Sequence, residues 1–343
     1  MARSALELAN EAVGSNQDLT QDQAAAALAV IMAGEASDQQ ISELLLGLRA
    51  KGETVDELAG LAQTMRSLVT SVRPQRPDLL DTCGTGGGRR TFNISTTAAL
   101  IAAAAGCAVA KHGNRTATGL SGSADVLEAL GAKLDLTPQH EAMLIDEVGF
   151  GFMFAPAHHA ATRYVVPVRK KLGVPTIFNL LGPLTNPAGA SRQLIGVPDP
   201  ASIALVAGAL ARLGTDHALV VSSEDGLDEI STSGPTQVAE LRGEQIARYT
   251  ISPEQFGIEP VGGDEISGGG PERNAQIIAE IFAGAPGPQR EIAALNAGAA
   301  IYVAGRADSI AEGLILAREV IDSGAAAATL ASFLVRSAEL SDQ

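Results

Sequence analysis

The sequence predicts an α/β protein: a large domain with a mostly parallel central sheet flanked by helices, plus a small all-helical N-terminal domain. Three observations carry that reading. Residues 1–72 show helical periodicity only. From residue 79 onward, short apolar runs alternate with helical segments, the pattern of repeated βα units. Between the two lies VRPQRPDLL, whose two prolines suit a linker. The expected domains are 1–72, helical, and 73–343, α/β, with part of 165–190 packing on the helical domain.

Three helix starts in the first domain carry a hydroxyl followed three residues later by Gln or Glu, the capping-box pattern: Thr20 with Gln23, Ser37 with Gln40, Thr54 with Glu57. Each precedes apolar residues spaced for one helical face, such as Ile41, Leu44, Leu45 and Leu48. In the second domain LLDTC reads as the first strand, and a helix is expected from Ser95 to Ala105, stopped by Gly106. CAVA follows as a strand, KHGNR as a loop, and SADVLEALG as a helix ending at Gly131. Thr137 caps the next helix, Pro138 takes its first position and Gly149 ends it. FGFMFA and HALVVSS are strands, TQVAELR and QIARYTI a hairpin, and the chain returns to Ala-rich helices from NAQIIAEIFAG onward.

Composition narrows the function. Asp and Glu number 39 against 24 Lys and Arg, and the net charge of −15 argues against a general nucleic-acid binder, which needs clustered cations. The two cysteines, Cys83 and Cys107, have no disulfide or zinc spacing and read as small buried side chains. The N-terminal residues do not read as a signal peptide, and the apolar run Ala98–Ala105 is too short to cross a bilayer. The expectation is a cytoplasmic protein with no membrane or nucleic-acid partner.

Four segments carry chemistry. DTCGTGGGRRTFNIST, Asp81 to Thr96, leaves a strand and enters a helix. Bare glycine backbone approaches an anion closely, and the helix start adds unpaired N–H donors and partial positive charge. Thr91, Asn93, Ser95 and Thr96 add side-chain donors. Neither the Walker pattern nor G-x-G-x-x-G is matched. KHGNR follows the next strand, so Lys111 and Arg115 bring cations to the same sheet edge. GLDEIS offers adjacent carboxylates, Asp228 and Glu229, a donor set suited to Mg²⁺ bridging protein and phosphate. Finally, HHAATRYVVPVRKKLGVPTIFNLLGPLTNP holds the densest basic stretch, including Arg169, ahead of a Pro/Gly-pinned loop. Of the adjacent His158 and His159, one is expected at the site and one in a structural role.

GTGG…TFNIST, KHGNR…SGSADVLEALG, FNLLGPLTNP and GLDEIS, in that order, resemble the anthranilate phosphoribosyltransferase family over nearly the whole chain. The resemblance implies transfer of the 5-phosphoribosyl group from phosphoribosyl pyrophosphate (PRPP) to the amine of anthranilate, with Mg²⁺, in tryptophan biosynthesis. It implies a homodimer formed through the helical domain. It implies PRPP contacts from Gly84, Gly87, Gly88, Thr91, Asn93, Ile94, Ser95 and Thr96, and from Lys111, His112, Gly113, Asn114, Arg115, Thr118, Gly119 and Ser123. Gly84, Asn114, His159 and Arg169 resemble the anthranilate contacts, with His112 lining the path. Ser95, Asp228 and Glu229 resemble the metal ligands. No residue is assigned as nucleophile or general base.

The chain departs from the family pattern at four places. The family loop normally reads Gly-Thr-Gly-Gly-Asp-Gly; here Gly88, Arg89 and Arg90 follow Gly87, so the Asp is missing and the loop is one residue short. Losing a charged contact to a metal–pyrophosphate complex costs about 1.5–3 kcal/mol, roughly ten- to a hundredfold in affinity, and the two arginines are expected to take over part of that charge. Thr118 and Gly119 stand where two serines are usual, Leu120 where a Lys is frequent, and Pro175 where Arg is usual. These changes keep two alternatives open: a related phosphoribosyltransferase or nucleoside phosphorylase-fold enzyme with another acceptor, and a non-catalytic nucleic-acid-binding relative.

Overall fold

The computed structural model describes residues 3–116 and 119–343. Four helices come first: α1 (Ala5–Gly14), α2 (Gln21–Met32), α3 (Asp38–Lys51) and α4 (Val55–Leu68). The three expected capping boxes open α2, α3 and α4, each with both reciprocal hydrogen bonds. A fourth, Ser4 with Glu7, opens α1. Glu57 does more than cap. Buried, it accepts from the Leu19 N–H at 2.9 Å and pairs with Lys51 at 2.8 Å.

The rest of the chain runs β1 (Leu79–Gly84), α5 (Ile94–Ala104), β2 (Ala108–Gly113), α6 (Ser123–Ala129), α7 (Pro138–Val148), β3 (Phe150–Phe154), α8 (Ala155–His158), α9 (Val166–Leu172), α10 (Phe178–Leu181), β4 (Arg192–Gly196), α11 (Ser202–Arg212) and β5 (His217–Ser223). The hairpin β6 (Thr236–Arg242) and β7 (Gln245–Ile251) follows, then α12 (Pro271–Phe282), α13 (Pro288–Val303), α14 (Ile310–Asp322) and α15 (Ala325–Ser341). Two readings need correction. KHGNR is not all loop, because β2 continues through Lys111 and His112 to Gly113 in register with β3. NLLGPLTNP is not all loop, because α10 and a 3₁₀ turn, Gly182–Leu184, take up its first part. The strand RQLIG escaped notice because Arg and Gln open it. Gln193 is nevertheless buried, and its amide donates to the Pro183 carbonyl at 2.7 Å.

One seven-stranded sheet has the order β3-β2-β1-β4-β5-β6-β7, parallel from β3 to β5 and antiparallel at the hairpin. Both faces of its middle are covered, and side chains alternate between them. Leu219 and Val221 join the cluster under α5 and α12–α15, whereas Ala218 and Val220 join the one shared with α1–α4 and α9–α11. Val168, Phe178 and Leu181 belong to that second cluster, so part of 165–190 packs with the first helices. The chain winds outward through β1, β2 and β3, then returns to β4 on the other side of β1. The topological switch therefore lies between β1 and β4, and ligands of such sheets bind beyond the carboxyl ends of those strands.

Helices α13 and α14 cross at two glycines. A Cβ on Gly313 would sit 2.1 Å from the Gly298 carbonyl oxygen, and one on Gly298 would sit 2.5 Å from the Leu314 nitrogen. Backbone cannot move aside as a flexible side chain does. Gly313→Ala is thus expected to destabilise by about 2–4 kcal/mol through overpacking. Denaturant unfolding checks this, and an unchanged midpoint would contradict the close crossing.

Candidate active site

The carboxyl ends of β1 and β4 meet at paired glycines, Gly84 opposite Gly196. Beyond Gly84 the chain turns through Gly86 and Gly87 at φ of 71° and 88°, values that favour glycine. The missing loop carboxylate raises the question of what these glycines face. They face Asp228. A Cβ on Gly84 would lie 2.4 Å from one Asp228 carboxylate oxygen, and a Cβ on Gly88 would lie 2.5 Å from the other. The Gly86 N–H donates to the same carboxylate at 3.2 Å. On the opposite side, a Cβ on Gly196 would come within 1.6 Å of the Asp228 carbonyl oxygen. Sequence segments 142 residues apart therefore close on one acidic side chain.

At the loop's far end α5 begins. Asn93 occupies the cap position without capping with its side chain. Its carboxamide is used sideways instead. It donates to the Ser121 carbonyl at 3.1 Å and accepts from the Ser121 hydroxyl at 3.0 Å and from the Asn274 amide at 2.8 Å. The first turn of α5 is left without a side-chain cap, the arrangement that receives anions at helix starts. Thr96, next in that turn, is buried with a hydroxyl that has no hydrogen-bond partner.

Beneath this turn lies Lys111. It is buried, its ammonium donating to the Thr82 carbonyl and lying 3.4 Å from the Ser95 hydroxyl. Burial pulls it below its usual range, and the charges of Asp81, Cys83 and Glu229 pull it back up. Asp81, buried, is pushed up by desolvation and held back by Lys111, by the Asn186 amide at 2.8 Å and by the His112 N–H at 3.1 Å. Glu229 is pushed up to about 8, first by desolvation and then by the Asp228 carboxylate, against Lys111 and a hydrogen bond from the Ser95 backbone. Asp228 is likewise raised, chiefly by desolvation. Among the described residues neither carboxylate has an ion pair. Two adjacent, desolvated acids with raised affinity for protons are a donor set that a divalent cation relieves. Ser95, whose backbone bonds Glu229, also carries a hydroxyl oxygen. Among the described residues no cluster of three or more His, Cys, Asp or Glu side chains forms, so such an ion would complete its shell from ligand or water.

A second wall is imidazole. His112 and His159 are buried with ring centroids 5.2 Å apart, and Nε2 of each has no partner. His112 Nδ1 meets the Gly182 carbonyl at 3.2 Å, which ties the ring to the turn after α10. Desolvation, then the neighbouring histidines, hold His112 down to about 3 and His159 to about 4, so both are neutral near pH 7. Arg169 reaches toward the same α10, 3.2 Å from Asn179 Oδ1 and over the Phe178 ring. His158 is the structural one of the adjacent pair. Its Nε2 meets Glu141 at 3.0 Å and its Nδ1 the Thr70 carbonyl at 2.7 Å. Burial pulls its pKa down, but Glu141 and Thr70 outweigh that and hold it above the usual value.

The depressed His112 gives a pH prediction. The unfolded chain takes up a proton below about 6.5 and the folded chain only near 3, so this residue's contribution to stability is present above 6.5 and is lost as pH falls. Relative to His112→Asn, the protein should lose about 3 kcal/mol between pH 7 and pH 4, measured by unfolding at several pH values. A difference that stays constant over that range would mean the folded ring is protonated.

Residues 76–327 match the family model described as "Glycosyl transferase family, a/b domain", and residues 9–69 match that described as "Glycosyl transferase family, helical bundle domain". Anthranilate phosphoribosyltransferase from Symbiobacterium thermophilum is 51% identical over 315 residues, 92% of each chain. The chain belongs to the anthranilate phosphoribosyltransferase family. It is thus a pentosyl-transferring enzyme by descent. The Laribacter hongkongensis anthranilate phosphoribosyltransferase is 54% identical over 86% of this chain and 87% of its own. Among solved structures, the Thermus thermophilus anthranilate phosphoribosyltransferase superposes with a TM-score of 0.91 at 44% identity, over 96% of this chain and 99% of that one. The Saccharomyces cerevisiae enzyme in complex with PRPP and Mg gives 0.89 at 27% identity, over 99% of each.

Not every residue that the family resemblance suggested meets at one point. Gly84, Gly87, Gly88, Thr91, Asn93, Ile94, Ser95 and Thr96 lie along the chain from β1 into the first turn of α5; Asp228 meets Gly84, Gly86 and Gly88, Glu229 meets the Ser95 backbone, and Ile94 joins the hydrophobic core. Gly113 brings the start of α6 close, because a Cβ there would lie 3.2 Å from Ser123 Cβ. Asn114 is exposed, and its carbonyl accepts from the Ala124 N–H at 3.2 Å. Arg115 spends its charge elsewhere, pairing with Glu128 and Asp125 and lying over the Phe154 ring. Gly119 is exposed, accepting nothing from the glycine turn, and its N–H donates to Thr116 at 2.7 Å. Thr118 lies outside the described residues. Pro175 sits on the helical side, its carbonyl taking Arg49 at 2.7 Å. Two surface cavities of about 370 and 380 Å³ draw no lining residue from the site. Three contributors went unseen in the sequence: Asp81, Asn274 and Asp225. Only Asp225 left a signal, as a further acid three residues before Asp228.

Proposed function

We propose that this family member transfers the 5-phosphoribosyl group of PRPP to the amine of anthranilate, releasing pyrophosphate, at the cleft beyond β1, β4 and β5. One observation carries the reading: Gly84, Gly86 and Gly88 close on Asp228 while Glu229, Ser95 and Lys111 gather beside it. Asp228, Glu229 and Ser95 would hold Mg²⁺. When bound, that ion neutralises charge on the departing pyrophosphate. The glycine-turn N–H groups, the start of α5 and the Thr91 and Thr96 hydroxyls cradle the phosphates. Lys111 works from below as the fixed counter-charge to Asp81 and Glu229. Arg169 and Asn114 orient anthranilate, with neutral His112 and His159 lining its path. The amine nitrogen forms the new bond to the anomeric carbon as the carbon–oxygen bond to pyrophosphate breaks, and the proton the nitrogen then sheds passes to the released pyrophosphate or to solvent. Positioning and charge stabilisation account for the rate, with no protein nucleophile.

The division into 1–72 and 73–343 belongs to the same reading. So does a homodimer through the helical domain, supported by the exposed apolar side chains Leu8, Leu46 and Leu68 on α1, α3 and α4. The two free thiols suit a reducing compartment, and we place the enzyme in the cytoplasm. Loss of anthranilate fluorescence on mixing protein, Mg²⁺, PRPP and anthranilate tests the function. No loss at any protein concentration, with another aromatic amine consumed instead, would reassign the acceptor.

A further inference from the structure

The glycine turn carries two arginines, and they behave differently. Arg90 is exposed with no ion pair among the described residues. Arg89 is folded back across the cleft. Its N–H donates to the Gly226 carbonyl at 3.0 Å, one guanidinium nitrogen donates to the Gly263 carbonyl at 2.5 Å, and another stands 3.5 Å from Asp225. Asp225 is a hub of the turn after β5. It accepts from the Ser223 hydroxyl at 2.5 Å, the Ser231 hydroxyl at 2.9 Å and the Leu227 N–H at 3.4 Å. Asp228 and Glu229 lie inside that hub's span. Gly263 belongs to VGGDEISGGG, a second glycine-rich segment that phosphate binding leaves unexplained. A Cβ on Gly263 would fall 2.0, 2.2 and 2.3 Å from three guanidinium atoms of Arg89, its three nearest neighbours. The glycine there makes room for that one side chain.

We infer that Arg89 is a positioning residue. It latches the glycine turn to the Asp225–Ser231 turn through Asp225 and the Gly263 carbonyl, and so fixes the spacing between phosphate cradle and metal carboxylates. The inference rests on the proposed roles of Asp228 and Glu229. A turn one residue short meets the metal side through backbone N–H groups, Gly86 to Asp228 and Arg89 to Gly226, but lacks the side-chain link that its missing carboxylate would give. The arginine supplies that link as a strut, not as a phosphate ligand. Gly263 becomes as important as Arg89, though it touches no substrate.

Three variants test the latch: Arg89→Ala, Gly263→Ala and Asp225→Asn. The atoms nearest a Cβ on Gly263 are the far end of a flexible side chain, and its φ lies outside the left-handed region, so Gly263→Ala is expected to keep the fold. Each variant is expected to raise the PRPP KM and the Mg²⁺ concentration for half-saturation about tenfold, the loss of one charge-assisted contact. The anthranilate KM should stay put in all three variants, as should the melting temperature of Arg89→Ala and Gly263→Ala, and kcat should change far less than KM. Calorimetric titration of PRPP at low and high Mg²⁺ should show the same weakening without turnover. Adding Gly263→Ala to Arg89→Ala should change nothing further. If Arg89 were instead a direct phosphate ligand, Asp225→Asn would release it and leave or lower the PRPP KM while Arg89→Ala raised it. That outcome overturns the latch, as does an Arg89→Ala variant with wild-type constants. Asp228→Asn run alongside separates the two levels. If it leaves the Mg²⁺ requirement untouched, the metal assignment has failed; if it abolishes it while the three variants are silent, only the latch has.

Discussion

The Asp228→Asn, Glu229→Gln double variant should keep its fold and lose about a thousandfold or more in kcat/KM for PRPP, the several kcal/mol that a metal contributes by neutralising a leaving polyphosphate. Both side chains are desolvated and raised in pKa in the free protein. Removing their charge therefore relieves electrostatic strain, and the unfolding midpoint should hold or rise. Activity falling while stability holds is the signature of groups arranged for a ligand and not for the fold. Steady-state kinetics with a parallel denaturant titration checks it. A variant that loses both together would make the acids structural.

Lys111→Met should show the opposite pattern, losing stability as well as turnover. Lys111 is buried against Thr82 and is the cation that holds back the protonation of buried Asp81 and of Glu229. Removing the cation that Asp81 and Glu229 share leaves buried acids uncompensated, at about 3–5 kcal/mol, whereas removing Glu229 still leaves Lys111 facing Asp81. Adding Asp81→Asn should restore much of that stability without restoring activity, because an amide is tolerated where an unpaired carboxylate is not. Equal stability of Lys111→Met and the parent, in denaturant unfolding, would mean the ammonium is idle in the fold.

The local code was the legible part. Hydroxyl–Gln/Glu spacing placed the starts of α2, α3 and α4, and Thr137, Pro138 and Gly149 bounded α7 as the sequence indicated. Asp228 and Glu229 stood out as adjacent acids, and the glycine turn as bare backbone ahead of a helix. Long-range burial was not legible. Lys111 looked like a loop cation because its neighbours His112, Gly113 and Asn114 are polar or small. Only the register of β2 against β3 draws it into the sheet, beneath Ser95. Arg115 looked like its partner, but Glu128, in α6, takes its charge. Arg89 looked like a second phosphate cation. The contacts that claim it come from residues 225 and 263, more than a hundred positions away, and no local pattern announces them. Asn186 gave no sign that its amide would bridge Asp81 and the Ala110 carbonyl, each at 2.8 Å.

The most direct test of the shared cleft is calorimetric titration of PRPP into the protein and into the Asp228→Asn, Glu229→Gln variant, each with and without Mg²⁺. One site built jointly by the glycine turn and the two acids predicts that Mg²⁺ tightens PRPP binding to the parent and has no effect on the variant. Equal Mg²⁺ enhancement in both proteins would put the metal elsewhere and contradict the account.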